Sequence, residues 1–168
     1  MSEGTARVDP PMVADERPLL VAFLEYHRLT LLHKCAGLTA AQLSELAAPP
    51  SELSLLGLVR HMTEVERSWF RRSLAGEDAP PLYYSEADPD GDFHLPPEID
   101  PDACFGALRR EWDHSRRLAA SHSLDDCGAR QGEPVSLRWI LIHVIEEYAR
   151  HNGHADLLRE RIDGARGE

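Results

Sequence analysis

The sequence predicts an all-α fold, a four-helix bundle with one long crossover connection between the second and third helices. Three observations lead there. Four stretches place apolar residues at helical spacing over about 20 to 27 residues each, which is about 30 to 40 Å at 1.5 Å per residue. Capping residues or Gly and Pro bound each of them. A single non-helical connection, Gly76 to Pro97, separates the second from the third, and no stretch alternates convincingly as a half-buried strand does.

The totals agree with one domain. The chain has 168 residues, 42% of them hydrophobic, enough for a real core. Residues 1–14, polar and carrying Pro10-Pro11, read as a flexible leader, and residues 15–168 as the single helical domain. Lys plus Arg number 18 against 29 Asp plus Glu, a formal charge of -11. An acidic surface repels phosphate backbones, so neither nucleic acid nor an anionic membrane is expected as a partner. No apolar run reaches the roughly 18 residues of a membrane span. The three cysteines, Cys35, Cys104 and Cys127, are odd in number and widely spaced. Reduced thiols and a cytoplasmic location are therefore expected.

The first helix is expected from about Asp15 to Cys35, with Pro18 in its first turn, where Pro is tolerated. Leu20, Phe23, Leu24, Leu31 and Leu32 form its stripe, and Gly37 ends it. Thr39 can cap a short helical turn that Pro49-Pro50 terminate. The second long helix is capped by Ser51 or Ser54 and runs to about Leu74, with Gly76 beyond it. Leu55, Leu58, Val59, Met62, Val65 and Trp69 form its apolar face, and His61 sits beside that face. The connection that follows holds Tyr83-Tyr84 and a turn-like DPDGD. At about 20 residues it is long for a compact domain, and such connections are often functional, here as a lid or as an ordered crossover. Asp100 and Pro101 open the third long helix, which runs to about His122. Ser123 to Glu133 reads as a polar loop, and the fourth long helix runs from near Pro134–Ser136 to about Ile162, ended by Gly164.

That last helix carries the chemistry. His143, Glu147, His151 and His154 fall at i, i+4, i+8 and i+11. At about 100° per residue they share an arc of roughly 80°, which overlaps the apolar stripe of Ile140, Val144 and Leu158. A Glu on a core-facing arc needs a cation beside it or must protonate. Facing helices of a bundle bring side chains to one point, and two ligands a turn apart plus a third from another helix leave metal positions open. His61 is the natural third ligand. The residues alone predict a metal set of His61 with two of His143, Glu147, His151 and His154.

The segments SLLGLVRHMTEVERSWF around His61 and HVIEEYARHNGHADLLRE near the C-terminus resemble the DinB/YfiT-like family of metal-binding four-helix bundles. The resemblance covers nearly the whole chain. Many relatives carry one histidine on the second helix and an HxxxH pair on the last. Here Glu147 takes the first place of that pair, a departure similar to the mycothiol-dependent maleylpyruvate isomerase branch. By that match His61, Glu147 and His151 are the ligands, and His143 and His154 are supporting or substrate-facing groups. The resemblance further implies a divalent metal, with Zn expected, and a low-molecular-weight thiol such as mycothiol or bacillithiol, transferred or added to an electrophilic substrate. With one carboxylate and two neutral imidazoles the metal would keep a charge of +1, which favours an incoming thiolate. Trp69, Tyr83, Tyr84 and Arg150 are candidates to line a pocket, and no general acid or base is assigned. A metal-dependent hydrolase, a non-catalytic bundle that binds a metal or small molecule, and a metal-free bundle in which Arg pairs with Glu147 stay open. A homodimer is compatible with the pattern, though no exposed stripe demands one.

Overall fold

The computed structural model describes residues 7–167. It is mainly helical, with a small two-stranded sheet where a loop is expected. The elements are α1 (Glu16–Cys35), α2 (Ala40–Leu43), α3 (Leu55–Glu66), α4 (Pro101–Ser121), β1 (Cys127–Arg130), β2 (Glu133–Ser136) and α5 (Leu137–Asp163). Of the leader expected at the N-terminus, residues 1–6 lie outside the described residues. Arg7 donates to Thr30 Oγ1 on α1 at 3.2 Å.

Local chemistry sets most boundaries. Thr39 and Gln42 form a reciprocal capping box that starts α2. Ser54 caps α3 through the Gly57 amide, Asp100 caps α4 with Pro101 in its first turn, and Ser136 caps α5 through the Trp139 amide. Gly164, at φ 79°, closes α5 in the left-handed conformation that glycine adopts without a steric cost.

Two findings revise the expected fold. First, the second long helix is not α-helical throughout. Its last eight residues, Arg67–Leu74, are π-helical. The wider turn shifts Trp69 and Phe70 away from the positions that a 3.6-residue period gives them. Second, the polar loop expected over Ser123 to Glu133 contains β1 and its turn, and β2 follows. Cys127 pairs with Ser136 and Arg130 with Glu133 in antiparallel register. The two central turn residues, Gln131 and Gly132, both have positive φ, as a two-residue hairpin turn requires. The strands are four residues each and none of their residues is buried, so they carry no apolar alternation of the kind that marks a strand in a sequence.

Gly128 explains where the hairpin sits. A Cβ there would lie 1.9 Å from the Ser73 carbonyl oxygen and 2.6 Å from Leu74 Cα. Only glycine lets β1 rest directly on the backbone of the π-helical segment.

Helix α1 packs along α5, and α3 packs against α4 and α5. Leu55, Leu58, Met62, Phe70, Leu108, Ile140, Leu141, Val144 and Tyr148 are buried between them. Burial of apolar side chains of this size, each worth about 1.5–3 kcal/mol, drives the packing. One polar network lies inside that core. Arg28 on α1 makes a bidentate pair with Glu66 on α3, at 2.8 and 2.7 Å. The Tyr148 hydroxyl donates to Glu66 at 3.0 Å and accepts from Trp112 Nε1 at 2.7 Å. The network thus joins all four long helices through fully engaged polar groups.

The long connection from Gly76 to Pro97 contains no helix or strand but is tied to α3 at several points. Glu64 accepts from the amides of Leu82 and Tyr83. Arg60 donates to the carbonyls of Gly91 and His94 at 2.8 and 2.9 Å. It is an ordered crossover, a strap whose backbone polar groups are used. Among the described residues no helix is long and apolar enough to cross a membrane.

Candidate functional site

The strap and caps that order the fold place His61 and the polar arc of α5 opposite each other. His61 is the seventh residue of α3, and Glu147 and His151 are one turn apart on α5. Their ligand-type atoms lie within 4.8 Å of one another. The His61 and His151 ring centroids are 4.5 Å apart at 62°, and His151 Nε2 is 3.5 Å from Glu147 Oε2. His151 is buried, and His61 and Glu147 are half-buried at the edge of the core.

The long connection supplies a group that no local pattern marks. Asp92, 5% exposed, accepts a hydrogen bond from His61 Nδ1 at 2.7 Å. A carboxylate can only accept, so Nδ1 carries the proton of this hydrogen bond. Phe93 stacks on the His61 ring, with centroids 4.8 Å apart and planes at 23°. Together they hold the imidazole in one orientation, as carboxylates do behind metal-bound histidines. Asp92 is the last residue of the DPDGD turn. The turn is legible in the sequence, but its partner lies 31 residues away.

His151 is held neutral. Burial, with the adjacent His61 and His154, pushes its pKa down to about 3. In the metal-free protein this has a definite sign. The unfolded chain takes up a proton below its ordinary value of 6.5, whereas the folded chain resists until about 3. The unfolded state therefore binds more protons in that window, so the contribution to stability is complete above 6.5 and is lost as the pH falls toward 3. His151→Gln should flatten the acid limb of a plot of Tm against pH for metal-free protein. An unchanged acid limb would mean that His151 is not buried in its neutral form.

The neighbours of the cluster are also placed. His154 Nδ1 is 3.3 Å from His151 Nδ1. His143 Nε2 is 3.3 Å from Glu147 Oε1, and His143, Glu146 and Glu147 form a second close group. Glu147 is thus common to both groups. Arg150 Nη1 is 3.7 Å from Glu147 Oε2, but its side chain is 54% exposed and also engages Glu146. Trp69 meets the edge of the His143 ring at 4.6 Å. Tyr83 instead lies under the Arg60 guanidinium at 4.6 Å, and Tyr84 accepts from Arg72 at 3.0 Å, so both tyrosines serve to hold the strap.

The donor set suits a divalent cation. Two imidazoles and one carboxylate converge from two helices, one imidazole is oriented by Asp92 and the other is kept unprotonated by burial. Glu147 otherwise faces the imidazoles of His143 and His151 and one solvent-exposed guanidinium, whose pairing in water contributes little.

A family model described as mycothiol-S-transferase matches residues 19–164. A crystal structure of a conserved protein from Enterococcus faecalis matches with a TM-score of 0.65 at 15% identity, covering 91% of this chain and 100% of that one. At that identity the likeness speaks to the fold alone. No curated protein gives a significant match.

Proposed function

Because the chain belongs to the mycothiol-S-transferase family, within the DinB-like group, we propose that it is a metal-dependent enzyme that transfers or adds a low-molecular-weight thiol to an electrophile. The observation that carries the metal part is the convergence of His61, Glu147 and His151 within 4.8 Å. Zinc is the metal proposed, since two imidazoles and one carboxylate are a donor set that zinc takes, and mycothiol, the thiol in the family's description, or a thiol of the same kind such as bacillithiol, is the thiol proposed. The helices α1, α3, α4 and α5, read together as a four-helix bundle and a single domain over residues 15–168, supply the frame.

Each residue then has a task. His61 and His151 offer imidazole nitrogen donors, and Glu147 offers the one carboxylate donor. Asp92 fixes the His61 ring. His154 lies against the far nitrogen of His151, and His143 lies against Glu147, so both steady ligands from outside the set. A divalent cation bound there would act as a Lewis acid, lowering the pKa of a thiol or a water held on it. The half-buried setting strengthens these electrostatic effects relative to open water.

Thermal-shift titration of zinc-loaded protein with mycothiol tests the thiol part, since a ligand of the native state raises Tm by mass action. A rise that requires the metal is expected. Indifference to mycothiol, bacillithiol and other thiols would favour the hydrolase or the non-catalytic binding protein.

Asp92→Asn tests the role given to Asp92. The substitution keeps an acceptor and removes the charge. Metal affinity, measured by competition with a chromophoric chelator, should fall by about 10–100-fold. The Tm of metal-free protein should stay close to that of the unaltered chain. Unaltered affinity would show that Asp92 merely anchors the strap.

A further inference from the structure

The hairpin and the π-helical segment form a pocket of about 460 Å³ that the metal reading does not use. Trp69, Trp139 and Val135 line it, and the two indole centroids are 5.0 Å apart at 47°. Arg130 lies over Trp69, its guanidinium carbon 4.1 Å from the ring centroid. Its Nη1 donates to Ser68 Oγ at 2.8 Å and Ser73 Oγ at 3.3 Å, both neutral hydroxyls. Burial and the nearby Arg72 cation hold the Arg130 guanidinium below its ordinary pKa. Arg72 itself leaves Nη2 without a hydrogen-bond partner, 3.8 Å from Glu64 Oε2. The one acidic side chain lining the pocket is the exposed Glu133.

The exposed Trp139 indole beside a guanidinium that has no carboxylate partner among the described residues makes an unusual patch on a chain of net charge -11. Aromatic faces favour flat, apolar bodies, and a guanidinium fork favours a carboxylate. The pocket also has a position relative to the candidate metal ligands. His143 stacks on Trp139 at 4.8 Å and 18°, and its Nε2 lies 3.3 Å from Glu147 Oε1. One imidazole separates the two.

We infer that this pocket binds the electrophilic substrate, and that the substrate is a flat carboxylate whose body rests on Trp139 and whose carboxylate pairs with Arg130. The role as electrophile subsite rests on the thiol-transfer reading. The binding of a flat carboxylate does not.

Benzoate and its neutral counterpart benzamide are the probes, titrated into the full chain with and without zinc and read by calorimetry and tryptophan fluorescence. Benzoate is expected to bind about tenfold or more tightly than benzamide, metal or no metal. Arg130→Gln should remove that preference and leave benzamide binding in place. Trp139→Leu should weaken both. Arg130→Lys, which keeps the charge and loses the fork, serves if Arg130→Gln does not fold, and should reduce the preference. Equal affinities for the two probes, no saturable benzoate binding, or a preference that survives Arg130→Gln would overturn the inference. The two readings fail separately. Metal uptake without benzoate preference sinks only the carboxylate pocket, and benzoate preference without metal uptake sinks only the metal centre.

Discussion

Glu147→Gln protein, purified without a histidine tag and reconstituted with zinc, is expected to hold less than about a tenth of an equivalent of metal, against about one for the unaltered chain. The substitution is nearly isosteric, so the packing of α5 should survive it. What it removes is the single negative charge among the three donors. Glu147 faces His151 on one oxygen and His143 on the other, at 3.5 and 3.3 Å. With His151 held neutral by burial, a cation is the partner that relieves both the carboxylate and the imidazole lone pair. His61→Ala and His151→Ala should abolish uptake in the same way. His143→Ala is the contrast, and should leave about one equivalent bound. If His143→Ala alone abolishes uptake, the metal sits with His143, Glu146 and Glu147 instead. If the unaltered chain binds no divalent metal after reconstitution, the whole reading falls, and Arg150 at 3.7 Å becomes the partner of Glu147.

Glu66→Ala should be the most destabilising of the substitutions considered, by about 3–5 kcal/mol. For a chain of this length that is a fall in Tm of roughly 6–20 °C. Both partners are deeply buried, with Arg28 at 1% exposure and Glu66 at 0%. Burial opposes the Arg28 charge, but the Glu66 carboxylate holds the guanidinium protonated above its ordinary value. Burial and the same carboxylate keep the Tyr148 phenol protonated. Removing the carboxylate leaves a buried cation whose remaining partner, Glu25, is more exposed and is shared with Arg116. The Tyr148 hydroxyl loses its acceptor as well. Arg28→Met combined with Glu66→Leu should recover much of the loss, because apolar residues of similar volume leave no unpaired charge. Thermal unfolding of the single and double variants measures this. A single variant as stable as the unaltered chain would show that the network contributes little.

Much of the candidate site is legible in the order of the residues. Histidines and a glutamate at i, i+4 and i+8 on a helix whose same face carries Ile140, Val144 and Leu158 mark a polar cluster directed at a core. His61, beside the apolar face of α3, is identifiable for the same reason. Two features are not. Asp92 lies in a turn whose residues suit any loop, and nothing local ties it to a histidine 31 residues earlier. Arg130 and Trp139 read as a loop charge and a helix-start aromatic, and they become a pocket only because the hairpin lies on the π-helical segment.

The helices, their ends and the face on which the candidate ligands lie follow from the residue order, because they depend on interactions within a few residues. Those are the caps at Ser54, Asp100 and Ser136, the left-handed Gly164, and the 3.6-residue period of the apolar side chains. Long-range packing settles the rest. It brings His61 to Glu147 and His151, puts Asp92 behind His61, buries Arg28 against Glu66, and seats β1 on Ser73 and Leu74 through Gly128. Each of those contacts joins residues far apart in the chain. Their distances follow from how whole helices pack and where the π-helical turn redirects one of them, and no local pattern encodes that.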